Sequence, residues 1–272
     1  MPLVVLTYPG HFLLTSLTIQ SYLKFHTPIS ITVIADDLSD LAWPRYLDDC
    51  QQQYGCNIIP VSTMESAQAF RNNPWVRQQI VKLHLDQILP YNSWFFTDGD
   101  IEYHFPTPHN AIPYVITRGG PEQVDQNAYV AKMLGIDNPG IYTEHPKMDW
   151  QPGTRRHQVC VSNPPFRTMQ ANTLQSLRAY IEQLHGQTVI QLHQKTNHLV
   201  SEWELIANFQ THVLEENINL VYYPTVPMDK PVTPGPNQPD YCGTGYQGDQ
   251  EFDSVWWQEK GIQDIRNRTT AG

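Results

Sequence analysis

Charge is scarce in this chain, and positive charge scarcer still. Only 16% of the 272 residues are charged, and 17 Lys and Arg face 27 Asp and Glu, for a net charge of −10. Such a balance lacks the basic excess with which nucleic-acid binders neutralise phosphates, so no nucleic-acid partner is expected. A local basic pocket for a single phosphate stays compatible with it. Cysteine is also rare: Cys50, Cys56, Cys160 and Cys242 form no C-x-x-C pair and no zinc spacing. They read as free, mostly buried thiols in a reducing compartment. The eleven histidines show no strong metal-ligand spacing. No apolar run approaches the 18 residues of a membrane span. The start, Met1-Pro2-Leu3-Val4-Val5-Leu6, enters an apolar run without a basic leader or a small-residue cleavage site, and reads as a first strand. A cytoplasmic location is the expectation. Asn267-Arg268-Thr269 fits the glycosylation pattern but, without a secretion signal, reads as a polar tail.

What is present is the composition of a folded chain with irregular loops: 22 Pro and 11% aromatic residues. The length suits one large domain. Through the first hundred residues, strand and helix patterns alternate: strands at Leu3–Thr7, Ile29–Ala35, Asn57–Val61 and Trp94–Thr97, helices at Phe12–His26 and Leu38–Gln53, the latter with a break or late start at Pro44. Asn73-Pro74 supplies an N-cap and a first-turn proline for a helix to about Ile88. Alternation of this kind predicts an α/β fold, a mostly parallel sheet with helices on both faces. Beyond it the spacing predicts strands at Tyr114–Thr117, Val159–Ser162 and Asn219–Tyr223, and helices at Glu122–Leu134, Thr168–Leu184 with Gly186 beyond, and Ser201–Leu214. Residues 137–157 read as a loop. The tail from Pro224 reads as a loop and a short closing helix over the site.

The chemistry concentrates at Trp94-Phe95-Phe96-Thr97-Asp98-Gly99-Asp100. Residues two apart on a strand share a side, so Asp98 and Asp100 can aim both carboxylates at one small volume. Gly99, without a Cβ, lets a ligand or a second strand approach closely. A Mg²⁺ or Mn²⁺ ion held there keeps positions open for phosphate oxygens. With 16 Asp in the chain, about one such spacing is expected by chance, and an acidic turn explains it equally well. Its position favours the ion, because ligands of open α/β sheets bind beyond the carboxyl ends of strands.

Three further features fall at that edge. Thr7-Tyr8-Pro9-Gly10-His11 is either a place to hold a base or a plain β-to-α turn. Asp36-Asp37 offers a carboxylate to a base imide or ribose hydroxyl, or else an N-cap. On the helix after Pro74, Val76, Ile80 and Leu83 form the buried stripe, while Gln78 and Lys82 share another face. Lys82 there is a point charge for a diphosphate or, as for most lysines, a solvated charge.

Asp98-Gly99-Asp100 behind Trp94-Phe95-Phe96, preceded by Arg77-Gln78-Gln79 and Lys82-Leu83, resembles the GT-A-fold glycosyltransferases, in particular a group of small bacterial and phage ones. Cys160-Val161-Ser162-Asn163-Pro164-Pro165 and Ser201-Glu202-Trp203-Glu204 fit the same pattern. The resemblance runs from about Leu3 to Tyr223. It implies a Rossmann-like GT-A domain spanning 1–272, with a nucleotide-binding half at 1–104, a donor and acceptor half at 105–230, and a tail at 231–272 as a possible lid. It also implies Mn²⁺ or Mg²⁺ on Asp98 and Asp100, and a UDP-sugar donor contacted by Thr7, Tyr8, Asp36, Arg77, Gln78, Lys82 and Asp98. The sugar would pass to a hydroxyl of a glycan, lipid or protein acceptor. Such a transfer needs a base for the acceptor proton. Glu204 has capping-box spacing to Ser201, whereas Glu202 lies about 200° around the helix and is free of that duty, so Glu202 is the expected base and Glu204 the alternative.

The chain departs from the family in two places. Where many GT-A enzymes carry a metal-ligating His after the last core strand, Tyr222–Lys230 has none, leaving Asp229 or water. After the first strand, where relatives tend to carry Asp, stands His11. A non-catalytic nucleotide-sugar or glycan-binding protein on the same scaffold is the alternative. A nucleotidyltransferase would want a Gly-rich phosphate loop after the first strand, which this chain lacks.

Overall fold

The computed structural model describes residues 1–8, 12–37, 44–103, 106–107, 109–110, 112–116, 121–137, 141–143, 157–160, 166–195, 201–222 and 243–245. Its elements in chain order begin with β1 (Leu3–Thr7), α1 (Phe12–Leu23), β2 (Ile31–Ala35), α2 (Pro44–Tyr54), β3 (Asn57–Pro60), α3 (Glu65–Gln68), α4 (Pro74–Lys82), β4 (Ser93–Asp98) and β5 (Ile101–Tyr103). The second half adds β6 (Ile112–Ile116), α5 (Pro121–Leu134), β7 (Ile141–Thr143), β8 (His157–Cys160), β9 (Phe166–Gln170), α6 (Ala171–His185), α7 (Val189–Lys195), α8 (Glu202–Asn208), β10 (Leu220–Tyr222) and β11 (Gly243–Gly245). No helix among the described residues is long and apolar enough to cross a membrane.

The main sheet has the order β3-β2-β1-β4-β9. Its first four strands are parallel, and β9 runs antiparallel along β4. Alternation along each strand explains why both faces are covered. Val4, Leu6, Ile34, Trp94 and Phe96 enter one apolar cluster with residues of α4, α5, α6 and α8. Their neighbours Leu3, Val5, Ile31, Val33 and Phe95 enter a second, with Ile19 and Tyr22 of α1 and Cys50 of α2. Every residue of β1 and β2 is buried, as strands covered by helices on both sides require. Burying each large side chain of β4 contributes roughly 2–3 kcal/mol, so the aromatic run that ends in Asp98 is anchored from both faces.

A second sheet, β10-β6-β8-β7, has one parallel and two antiparallel pairings. A two-stranded ribbon pairs β11 with β5, so Gly243–Gly245 of the tail lies beside the strand just after Asp100.

Several expectations are corrected. Thr168–Gln170 is strand, not helix: Phe166 and Met169 are buried in the pairing of β9 with β4, and α6 starts only at Ala171. Gly186 then ends α6 in the left-handed conformation, φ 62°. The helix after Asn73 stops at Lys82 and gives way to a 3₁₀ turn, Leu85–Gln87. Asn73 does cap it, accepting from the Val76 N–H at 3.2 Å. The helix from Ser201 is α-helical to Asn208 and π-helical over Phe209–Val213. Residues 137–157 contain the strand β7 and the first residue of β8. The segments 9–11, 161–165 and 223–242, with His11 and Asp229, lie outside the described residues.

Candidate active site

Asp98 closes β4 at its carboxyl end, paired in register with Leu6 of β1. The next turn is shaped by how close β1 comes. Gly99 donates its N–H to the Leu6 carbonyl at 2.7 Å. A Cβ there would sit 2.7 Å from Thr15 Oγ1, 3.0 Å from the Leu6 oxygen and 3.1 Å from Thr7 Cβ. The glycine is therefore required by the neighbouring strand and by α1.

Helix α1 holds the strands on both sides of this turn, through three buried hydroxyls spaced one turn apart, one bonded to β1 and two to β5. Thr15 shares a 2.5 Å hydrogen bond with Thr7. Thr18 accepts from the Ile101 N–H at 3.1 Å, and Ser21 from the Tyr103 N–H at 3.0 Å. Thr18 and Ser21 in turn donate to the Leu14 and Thr18 carbonyls of their own helix. Buried backbone donors of β5 are thus satisfied by side chains of α1, and the Asp98–Asp100 turn is held at both ends.

Helices α4 and α8 supply the charged groups opposite. Lys82, 3% exposed at the end of α4, places Nζ 3.1 Å from Asp98 Oδ2 and 2.7 Å from Glu202 Oε1. Its ammonium also sits over Trp203, 5.1 Å from the ring centroid, and over Phe96 at 5.6 Å. Gln79, one turn before Lys82, donates to the Glu202 carboxylate when its amide nitrogen faces that residue, with 3.2 Å to Oε1; this orientation is assigned from the hydrogen-bond network. Glu202 is 2% exposed, so both its donors are protein groups. Ser201 caps α8, accepting from the Glu204 N–H at 3.3 Å. Glu204 is fully buried, and its carboxylate accepts from Asn208 at 3.5 Å.

Burial dominates the protonation of this cluster. It acts to lower the Lys82 pKa, but the carboxylates of Asp98 and Glu202 outweigh it, and the ammonium is held above its ordinary value. Burial pushes Asp98 up, with Lys82 pulling against it and Glu202 adding to it. Asp100 is pushed up by burial and then by the charge of Asp98. The Tyr8 hydroxyl bonds to Asp100, and burial with the two aspartates raises its pKa well above 10.

The other expected site residues make contacts of their own or lie around this cluster. Thr7 is fully buried, with its hydroxyl on Thr15. Asp36 and Arg77 form a buried ion pair: Arg77 Nε reaches Asp36 Oδ1 and Oδ2 at 3.0 Å each, and Nη2 reaches Oδ2 at 2.9 Å. Nη1 of Arg77 donates to the Phe70 and Arg71 carbonyls at 3.2 and 2.6 Å. Asp37 accepts from the Ser62 N–H at 2.7 Å and from the Ser62 hydroxyl, securing the turn after β3. Gln78 is half-buried on α4.

The structure thus brings Tyr8, Lys82, Asp98, Asp100 and Glu202 to one sheet edge. It places Asp36 with Arg77 in a pair of their own. Gln79, Trp203 and the hydroxyls of α1 were missed by sequence reasoning. The Thr15, Thr18, Ser21 spacing inside an apolar helix was the available signal.

Two carboxylates at the end of a buried strand suit a hard divalent ion that takes its remaining oxygens from a substrate. Asp98 Oδ1 is buried and accepts no hydrogen bond from any described residue. Among the described residues no group of three His, Cys, Asp or Glu side chains is placed to hold a metal.

Comparison by sequence finds no family model and no curated protein that matches this chain. Comparison by structure finds solved proteins of similar fold. Mouse xyloside xylosyltransferase 1, in its apo form, aligns at 11% identity over 84% of this chain and 88% of its own, with a TM-score of 0.43. The galactosyltransferase LgtC, solved in complex with donor and acceptor sugar analogs, aligns at 11% identity over 97% of this chain and 96% of its own, with a TM-score of 0.51. The chain has a mixed α/β fold with a central, mostly parallel sheet flanked by helices, matching the GT-A fold of glycosyltransferases.

Proposed function

We propose that this protein is a glycosyltransferase that moves a sugar from a nucleotide-sugar donor, a UDP-sugar, to an acceptor hydroxyl. The observation that carries this reading is the cluster of Asp98, Asp100, Lys82 and Glu202 beyond the carboxyl end of β4, on a GT-A fold. Asp98 and Asp100 would hold Mn²⁺ or Mg²⁺, whose charge offsets that of the departing diphosphate.

The chain's own residues divide the remaining work. Lys82 neutralises Asp98 and Glu202 while no substrate is present. A diphosphate arriving beside Asp98 offers that ammonium a stronger partner, and the charge that develops on the leaving group is then stabilised by a buried cation, where the attraction exceeds its value in water. Glu202 is the base for the acceptor hydroxyl. Both its donors sit on α4, so movement of Lys82 toward the diphosphate frees a carboxylate oxygen for the acceptor proton. Tyr8, bonded to Asp100, sets that carboxylate's orientation.

The test is a thermal-stability titration with UDP, with and without Mn²⁺, and then a donor screen that reads released nucleotide. UDP with Mn²⁺ at a hundredfold excess over Kd stabilises the fold by about 2.7 kcal/mol, and the effect disappears in the double variant Asp98→Ala with Asp100→Ala. Glu202→Gln keeps UDP binding and loses sugar transfer. A metal-independent shift overturns the ion site. UDP binding without turnover across UDP- and GDP-sugars leaves the non-catalytic binding protein as the reading.

A further inference from the structure

The structure also contains a cleft of about 420 Å³, whose lining includes Ser93 at the amino-terminal end of β4, the end opposite Asp98. This volume lies within the range of ligand clefts, roughly 300–1,000 Å³. Met1 and Ser93, before and at the start of parallel strands, line one end of it, as does Gln170 at the end of β9. Five residues of β4, or roughly 16 Å of strand, separate Ser93 from Asp98.

Arg167 of β9 belongs to the wall and is only 3% exposed. Its Nη2 donates to Gln210 Oε1 at 2.6 Å, while Nε and Nη1 have no hydrogen-bond partner among the described residues. A guanidinium has five N–H donors, and burying them without partners forfeits their hydration with nothing in exchange. Its guanidinium carbon lies 5.6 Å from the centroid of the Trp203 ring, a cation–π contact. Gln210 is carried by the π-helical segment Phe209–Val213, a rare widening of a helix that recurs at functional sites.

The remaining wall tells an anion from a neutral ligand. Gln210 passes from Arg167 to Glu216, donating to Oε2 at 2.9 Å, and the charges of Glu202, Glu204 and Glu216 all act on the guanidinium. Burial outweighs these carboxylates and lowers the pKa of the guanidinium to about 10, so its charge is only partly offset, while an added anion would still face Glu216 inside a chain of net charge −10. Asn110, Gln170, Asn217 and Asn219 contribute uncharged polar groups, and Thr168 a hydroxyl. An amide side chain presents a donor and an acceptor in one plane, which suits adjacent hydroxyls. Met169, Leu174, Ile206 and Ile218 give apolar surface for C–H faces.

We propose that this cleft is a second carbohydrate site, which binds a neutral sugar through Arg167, Gln210 and the surrounding amides. It does not depend on the transfer chemistry at Asp98. The test uses the full chain in EDTA without nucleotide, so that no metal-dependent site contributes. Glucose, galactose, N-acetylglucosamine and lactose are titrated one by one, with inorganic phosphate as the anionic arm, and binding is read by saturation-transfer NMR. At least one sugar binds, and affinity falls tenfold or more in Gln210→Leu and in Asn217→Phe, whose exposed position spares the fold. The thermal shift by UDP with Mn²⁺ is unchanged in both variants. No sugar binding at millimolar concentration, sugar binding that survives both variants, or binding of phosphate alone overturns the proposal.

Discussion

Replacing Asp36 by Ala removes the carboxylate that meets Arg77 through Nε and Nη2 at 2.9–3.0 Å, in a place where neither side chain is more than 2% exposed. The guanidinium stays buried and keeps the Phe70 and Arg71 carbonyls, which it reaches through Nη1. Removing one member of a buried pair costs about 3–5 kcal/mol, because the other charge stays out of water. Arg77→Met costs a similar amount, and the two carbonyls add about 1 kcal/mol each. In the double variant Asp36→Leu with Arg77→Met no charge is stranded, so its loss falls short of the sum of the single losses by at least ~2 kcal/mol. Urea unfolding at constant m-value measures all three. The pair ties the end of β2 to α4, so these losses come through the fold, and the affinity of the still-folded fraction for UDP changes little. If Asp36→Ala costs less than ~1 kcal/mol while UDP affinity collapses, Asp36 is a nucleotide ligand and the structural reading of the pair is wrong.

Two other perturbations test the packing around the site. Gly99→Ala forces a Cβ against Thr15 Oγ1 and the Leu6 carbonyl, at 2.7 and 3.0 Å. It is expected to destabilise by about 1–3 kcal/mol and to weaken Mn²⁺-dependent UDP binding, and equal stability of the two proteins in urea would refute the close approach. His84, 5% exposed with Nδ1 2.8 Å from the Ile80 carbonyl, has its pKa lowered to about 4 by burial. Between about pH 6.5 and pH 4 the unfolded chain binds this proton and the folded chain does not, so stability falls as pH falls through that window, by about 2.5 kcal/mol at pH 4.5. His84→Gln should flatten that acid limb, and a loss between pH 7 and pH 4.5 as steep as in the parent protein would exclude His84 as its source.

The parallel sheet was legible because its evidence is local. Apolar runs at Leu3–Thr7, Ile29–Ala35 and Trp94–Thr97, set between helical periods, can be buried only by helices on two faces, and the second of them forms strand only from Ile31. Strand β9 was not legible, since Thr168–Gln170 continues the apolar spacing of α6 and only pairing with β4 makes it extended. Asp98, Asp100 and Glu202 stood out for their spacing and caps. Lys82 alone looked like a surface charge, because nothing near it in sequence says that Asp98 and Glu202 will bury it. Arg167 gave no signal, for its surroundings come from α8 and the segment after it.

By itself, the sequence determined the alternating α/β plan and the pair of carboxylates at the end of β4, because strand period and burial act over a few residues. Tertiary structure alone decided which charges meet. Lys82 and Glu202 are 120 residues apart, and Asp36 and Arg77 are 41 apart. Their pairings depend on the order in which strands and helices pack, and on the low dielectric that this packing creates. It is that packing which turns Lys82 toward Asp98 and holds Arg77 on Asp36.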